Sequence, residues 1–449
     1  MINKKVRIGL FTGIPALAYF VYKNYPKLNI LTGFAAKNVC SCTFEANRQI
    51  ESILSGDNSF LPVNYATNVI DQQERTVESS IFGLKERQAI YKEGLGCILL
   101  PENQKEIPEI FIKPIRNLNQ GEKLFPFEKV MLHLTQPYPS NRTKIKKVLQ
   151  NAFDPEGKEI KRTRAVLIIH KNKLVAEKYA PGFSAETKLQ GWSMTKSIIN
   201  AVIGILEKQE RIHIEQDNMF QEWENDERSK IKLKHLLQMN SSLEWSEDYT
   251  TLSDVTRMLF LKENMAEIQL QKKLKAEPGE VWNYASGTTN LLSLFIRQQF
   301  ETYQEYLNFW YSELIDKIGM DSMTLETDLA GNYVGSSYCW ATARDWAKFG
   351  MLYLQNGNWN GEQIINPKWV KFTSTPAKGS KGEYGAHFWL NAGGKFPNVP
   401  RDMYACSGFQ GQYIFIIPSK DLVVVRFGLA EHPEFNVDEF LNEIIDSLK

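Results

Sequence analysis

The sequence predicts an α/β chain of the α+β type, an antiparallel sheet flanked by helices with an inserted helical subdomain, on three observations. "AVLIIHKNKLVAEKYA" (Ala165 to Ala180) reads as two β-rich runs around a polar turn at Lys171-Asn172-Lys173. "GQYIFIIPSKDLVVVRFG" (Gly411 to Gly428) repeats that pattern near the far end, turning at Pro418-Ser419-Lys420-Asp421. Between the two the spacing is largely helical. Strands at both ends and helices between them imply a sheet built from the two termini of this region around a helical middle.

The elements follow in chain order. Lys4, Lys5 and Arg7 precede an apolar run, Ile8 to Tyr22, after which Lys23 and Lys27 resume polar sequence. Its 15 residues fall short of the roughly 20 that span a bilayer and suit the hydrophobic region of a signal sequence. Pro15 interrupts it, and the nearest small-x-small site, Gly33-Phe34-Ala35, lies well downstream. Residues 1–30 are therefore read as a signal anchor in preference to a cleaved signal peptide. With a cytoplasmic amino terminus, the body of the chain would be membrane-anchored and face the periplasm or another extracytoplasmic space. Residues 31–120 read as a small module of unknown role, with short strands such as "GLGCILL" (Gly94 to Leu100) and joints such as "PIRNLNQGE" (Pro114 to Glu122). Residues 121–449 form the main domain.

Across the 449 residues, 53 Lys and Arg nearly cancel 52 Asp and Glu, and no basic stripe with interleaved aromatics is present. A nucleic-acid partner is excluded on that ground. Cys40, Cys42, Cys97, Cys339 and Cys406 make no zinc-like set of pairs. Cys40-Ser41-Cys42 could hold a metal, but pairing with Cys97 is the simpler reading in an oxidising compartment. The six histidines never fall at i, i+4 on one helix, so the chemistry is expected to need neither metal nor cofactor.

The stretch "GWSMTKS" (Gly191 to Ser197) carries the chemistry. Ile199, Val202, Ile203 and Leu206 recur at helical spacing behind it, so an amphipathic helix is expected from about Ser193. Residues three apart share a helix face, which puts Ser193 and Lys196 together on the first turn. A serine hydroxyl needs its proton removed to become a nucleophile, and a lysine amine held neutral can remove it. A second Ser-x-x-Lys, Ser229 to Lys232, lies in the charged run "ENDERSKIKLKHLL" and reads as a solvated turn.

The segments after Lys196 fall in a familiar order. From about residue 160 to the end the sequence resembles the serine β-lactamase and penicillin-binding-protein superfamily, particularly its esterase-like, class C-related branch. Ser193-Met194-Thr195-Lys196 looks like its first motif, and "LKHLLQMNSSLEW" is similar to the helix end that follows it in many members. Pro278-Gly279-Glu280 with Tyr284-Ala285-Ser286 resembles the second motif, Ser286 replacing the usual Asn. "ATARDWAKFGMLYLQNGNWNGEQI" is similar to the helix and loop before the last strands.

The resemblance implies a β-lactamase/transpeptidase-like fold and an acyl-enzyme mechanism. Ser193 would be the nucleophile, Lys196 the general base, and Tyr284 a proton relay whose phenolate Lys196 stabilises. Ser286 would donate a hydrogen bond to the substrate or to Lys196. Trp192 would line the site or pack beneath it. The third motif departs, since Met403-Tyr404-Ala405 stands where Lys-Thr-Gly is usual, and Cys406 would inherit the oxyanion-hole backbone N–H. Without the Lys and Thr that hold an antibiotic's carboxylate, discrimination by that contact is lost. A serine hydrolase of small esters or amides, resembling the 6-aminohexanoate-dimer hydrolases, is expected. A β-lactamase or D-Ala-D-Ala peptidase, and a non-catalytic binding protein on the same fold, are the alternatives.

Overall fold

The computed structural model describes residues 25–102, 104–108, 111–118 and 142–448. The apolar run Ile8 to Tyr22 and the expected boundary at 120/121 lie outside them, and among the described residues no helix is long and apolar enough to cross a membrane.

The amino-terminal module is helix α1 (Lys27–Cys40) and short α2 (Ile50–Ser55) against a four-stranded antiparallel sheet, β1 (Ala66–Asp71), β2 (Thr76–Ile81), β3 (Leu84–Lys92) and β4 (Gly96–Leu99), in that order. Since α1 begins at Lys27, the break expected at residue 30 falls inside its first turn. Alternate residues of β2, Val77, Ser79 and Ile81, are buried, as the two-residue period of a half-covered strand requires. Cys40, at the end of α1, is disulfide-bonded to Cys97 of β4, while Cys42 is a buried free thiol. Among the described residues no cluster suited to a metal ion occurs.

The main domain begins with α3 (Arg142–Ala152) and the β-hairpin β5 (Thr163–His170) and β6 (Lys173–Tyr179). There follow β7 (Lys188–Gln190), α4 (Thr195–Lys208), α5 (Leu233–Leu237), α6 (Asp254–Leu261), α7 (Glu267–Leu270), α8 (Ser286–Arg297) and α9 (Tyr303–Trp310). Next come β8 (Thr324–Leu325), β9 (Cys339–Thr342), α10 (Ala343–Leu354), the short pair β10 (Asn358–Trp359) and β11 (Glu362–Gln363), and α11 (Pro367–Thr373). The chain closes with β12 (Trp389–Leu390), β13 (Tyr404–Gly408), β14 (Gln412–Ile417), β15 (Leu422–Gly428) and α12 (Val437–Ser447). The six-stranded sheet runs β12-β13-β14-β15-β5-β6, every pair antiparallel. Both expected hairpins therefore sit side by side, joined through β15 and β5. All eight residues of β5 and all seven of β15 are buried, because α3 and α12 cover one face of the sheet and α4 and α10 the other.

Helix α4 differs from the amphipathic helix that the spacing predicts. Its residues from Thr195 to Leu206 are all buried, leaving no solvent face over that stretch, since the sheet lies on one side and the helical middle on the other. Its polar residues are accordingly satisfied internally. Asn200 gives its amide to Ala386 O (2.9 Å) and accepts from Tyr353 Oη (2.6 Å), Trp369 Nε1 (3.1 Å) and Thr373 Oγ1 (3.2 Å). Gly204 lets the Trp369 indole close on the helix, where a Cβ would come within 2.5 Å of Nε1.

The module is pinned to the main domain by buried charge. Glu326 is ion-paired to Lys37 of α1, and accepts from Ser41 Oγ (2.6 Å), Cys97 N (2.8 Å) and Trp340 Nε1 (3.0 Å). All four donors converge on one carboxylate that is fully buried. Removing one partner of such a pair leaves the other charged and dry, at about 3–5 kcal/mol. Glu326→Ala is expected to lower the denaturant midpoint by that amount at constant m-value and to open the module to limited proteolysis; a shift below about 1 kcal/mol, the scale of an exposed ion pair, would show that the carboxylate does not pin it.

Candidate active site

The turn that carries Ser193 is set by β9 and α10. Gly191 N donates to Cys339 O (2.8 Å), and a Cβ on Gly191 would fall 2.4 Å from the Trp346 ring. Trp192 then takes a left-handed backbone (φ 47°), a conformation that costs a bulky residue of order 1–3 kcal/mol and concentrates at functional sites. A 3₁₀ turn, Trp192–Met194, leads into α4, so the helix proper starts two residues later than Ser193. Ser193 and Lys196 remain neighbours across that start.

Lys196 is buried to 1% exposure, with Nζ 3.0 Å from Ser193 Oγ, 3.0 Å from Ser286 Oγ and 2.9 Å from Ser336 O. Burial lowers its pKa to about 8, against the opposing pull of the Glu247 carboxylate. Ser286 is itself held by Glu247, its N–H donating to Oε2 (2.9 Å) and its hydroxyl to Oε1 (2.5 Å). The first contact satisfies an orphan N–H at the start of α8, whose first residue is Ser286. Trp245 Nε1 and Tyr249 Oη (2.9 Å) donate to the same carboxylate. Next to Ser286, Gly287 leaves room for Trp245, whose ring a Cβ would meet at 2.4 Å.

Tyr284 lies beside Ser193, and its ring centroid is 4.9 Å from Lys196 Nζ. Burial first, and the Glu247 charge second, hold its pKa above the ordinary phenol value. Both effects oppose a standing phenolate, so the phenolate that the resemblance implies for a relay would depend on nearby Lys196 for its stability. Its ring is wedged between Tyr384 and Trp389, at centroid distances of 5.8 and 5.3 Å.

Trp192, left open between lining and underpinning, does both. It is half-buried, stacks on Phe34 of α1 (6.0 Å, 10° between planes) and packs edge-on against Phe409 (5.6 Å). Phe409 in turn stacks on Tyr249 (6.2 Å).

Cys406 is not brought to this cluster. Its thiol lies beside the Ser197 hydroxyl at 1% exposure, and burial pushes its pKa up to about 12, the environment of an unreactive buried thiol. Its backbone faces the wrong way as well. Met403 O accepts from Asn391 N (2.9 Å) on the outer side of β13, and Gly408 O accepts from Gly411 N (3.1 Å) on the β14 side. Backbone groups alternate along a strand. Cys406, opposite Ile414, thus shares the direction of Gly408 and turns its N–H into the β14 ladder, while Ser407 and Phe409 face the edge beyond short β12. Gly408 lies directly over the turn that carries Ser193, with a Cβ there only 2.2 Å from Gly191 O. Phe409 follows it.

The second Ser-x-x-Lys is the solvated turn expected: Ser229 Oγ donates to Asp226 O (2.7 Å) and Lys232 pairs with Glu215 (3.0 Å). Glu247, Tyr249, Ser336 and Phe409 are absent from the sequence reading, and Phe34 enters it only as the middle of the small-x-small site Gly33-Phe34-Ala35. Only Glu247 and Tyr249 leave a trace there, as a Glu-Asp-Tyr run just past the α5 helix end; the others arrive from distant segments with no local signature.

The Beta-lactamase family model matches residues 152–443. The 6-aminohexanoate-dimer hydrolase of Paenarthrobacter ureafaciens is 24% identical over 300 residues, covering 61% of this chain and 74% of the relative. Among solved structures, a Bacillus anthracis protein assigned as a 6-aminohexanoate-dimer hydrolase has a TM-score of 0.56 at 22% identity, over 77% of this chain and 89% of its own. EstCE1, a hydrolase with promiscuous acyltransferase activity, has a TM-score of 0.55 at 15% identity, over 68% of this chain and 97% of its own. The penicillin-binding protein of Bacillus halodurans has a TM-score of 0.52 at 14% identity, over 69% of this chain and all of its own. The fold is that of the β-lactamases and transpeptidases, and with a family model covering well over half of its length the chain belongs to the Beta-lactamase family.

Proposed function

We propose that this hydrolase-family chain cleaves a small ester or linear amide through an acyl-enzyme on Ser193. The observation that carries the reading is the saturation of Lys196. A neutral amine has two N–H donors and one lone pair. Ser336 O can only accept, so it takes one N–H. Ser286 has given its own proton to Glu247 and accepts the other. The lone pair is left for Ser193, which is the arrangement a general base needs. Glu247 thereby explains how a serine serves where the family carries Asn.

In the first step the Ser193 proton passes to Lys196 as Oγ bonds to the acyl carbon. The backbone N–H of Ser193 and that of Phe409, in place of Cys406, hold the oxyanion. The Tyr284 phenol protonates the departing group, and the Lys196 ammonium stabilises the transient phenolate until it returns a proton. Water then enters in place of the leaving group, and the same transfers release the acid. Trp192, Phe409 and Tyr249 form an aromatic wall suited to an apolar acyl or leaving group. With the oxyanion donor at Phe409, the triplet before it is Cys406-Ser407-Gly408, whose side chains supply no cation for a carboxylate, which favours an ester or linear amide over a penicillin.

A fluorophosphonate probe should label Ser193, identified by peptide mass, and a fluorescent penicillin should not. Absence of the adduct would sink the assignment, and a penicillin adduct on Ser193 would move it to the penicillin-recognising alternative. The role of Glu247 has its own test. Its charge raises the Lys196 pKa, so Glu247→Gln should shift the pH–rate limb of kcat/KM to lower pH. Turnover should also fall roughly tenfold or more, the scale of a lost charged hydrogen bond. A limb that stays in place excludes Glu247 from the proton network.

A further inference from the structure

One end of the amino-terminal module is apolar, and it is the end from which the chain enters. The β2–β3 hairpin turns at Phe82-Gly83, and Phe82 is 79% exposed. Tyr65, next to the start of β1, packs on Phe82 at 6.2 Å; Leu84 opens β3, and Leu61 lies just before the turn that leads to Tyr65. Tyr25, preceding α1, lies under Lys85 of the same hairpin, 4.9 Å from ring centroid to Nζ. All five are exposed large apolar residues, at 41–79%. At the opposite end the β1–β2 turn, Asp71-Gln72-Gln73-Glu74-Arg75, has no apolar side chain, and the large exposed apolar residue beside the β3–β4 turn there is Ile115.

Phe82 is also conformationally anomalous. It sits at φ 53°, followed by Gly83 at φ 71°. This is the two-residue hairpin turn in which both residues are left-handed and Asn-Gly or Asp-Gly is preferred. A bulky aromatic there is strained and fully offered to solvent, a combination that folding does not call for.

We propose that this end of the module is a membrane-docking face, with Phe82, Leu84, Tyr65 and Leu61 seated in the interfacial layer of a lipid bilayer. The chain itself indicates the occupant. The 24 residues before Tyr25 include the apolar run Ile8 to Tyr22, which ends three residues before this face begins. Aromatic side chains favour the bilayer interface. Lys85, whose ammonium lies over the Tyr25 ring, is already paired with Glu102 (2.7 Å), so the hairpin tip presents an apolar surface. Tyr25 and Phe34 are nine positions apart, most of them in α1 and together about 13 Å of helix; Phe34 stacks on Trp192, so the face would hold Ser193 close to the membrane surface. The proposal is independent of the reaction assigned to Ser193.

The test uses the full-length chain with phosphatidylcholine vesicles. The free thiols Cys42, Cys339 and Cys406 are buried, so a cysteine introduced by Phe82→Cys, or by Leu61→Cys as a second reporter, takes an environment-sensitive fluorophore selectively. Gln73→Cys marks the opposite end. With vesicles, emission from positions 82 and 61 should shift to the blue and be quenched several-fold by nitroxide-bearing lipid, while position 73 stays solvent-like. Solvent-like emission at 82 and 61 on vesicle-bound protein overturns the proposal, because the anchor then works without this face. A blue shift without lipid quenching overturns it in favour of a protein partner, and failure to bind the vesicles overturns it outright.

Discussion

Ser193→Ala is expected to lower kcat on a short p-nitrophenyl ester by roughly 10⁶-fold, the scale at which removing the nucleophile of an acyl-transfer unit leaves only binding and the oxyanion donors. The fold should not feel the change. Ser193 is only partly buried, and its hydroxyl contacts Lys196 and Tyr284 without bracing any element. Denaturant stability within about 0.5 kcal/mol of the parent is the expected control, as for a substitution that leaves no cavity. Turnover retained within tenfold of the parent would place the nucleophile elsewhere.

Lys196→Ala is expected to slow the same reaction by roughly 10² to 10⁴, the range for lost acid–base help. The two substitutions act on one unit, so the double variant should be no slower than Ser193→Ala alone. The parent pH profile carries the more specific signature. With the Lys196 pKa near 8, the amine is protonated and inactive as a base below that pH. Thus kcat/KM should rise about tenfold per pH unit toward 8 and level off above it. The sign is fixed by the chemistry: burial favours the neutral amine, and the neutral amine is the working form. A rate that falls with rising pH across that range, or a Lys196→Ala variant near the parent rate, would remove Lys196 from the mechanism.

Much of the fold was legible in the sequence because it is written in local periodicity. The two hairpins show as alternating apolar runs around polar turns, and their place at opposite ends of the region dictates a sheet closed by β5 and β15. Helix α4 was legible in position but not in environment. Its spacing marks one apolar face, whereas burial of the other face depends on Asn200 finding four partners from segments 150 or more residues away. The site divides in the same way. Ser193 and Lys196 share a turn, and Tyr284 and Ser286 stand in a recognisable motif. Cys406 was misplaced because strand parity is invisible until the neighbours of β13 are known. A slip of one residue exchanges ladder groups for edge groups. Glu247 left no usable signal, since a carboxylate in a loop becomes part of a proton network only when the loop folds back onto α8.

The pairing of β15 with β5 also orders events in time. Thr163 and Gly428 meet across the whole main domain, and β13, which carries the edge facing Ser193, reaches the sheet only through β14 and β15. A growing polypeptide therefore exposes Ser193 and Lys196 long before the strands that complete the site have been synthesised. Contacts of such long sequence separation form slowly. Hydrolysis can begin only once nearly the entire chain has left the ribosome, so a truncated product that ends before β15 should carry Ser193 and Lys196 yet be inert.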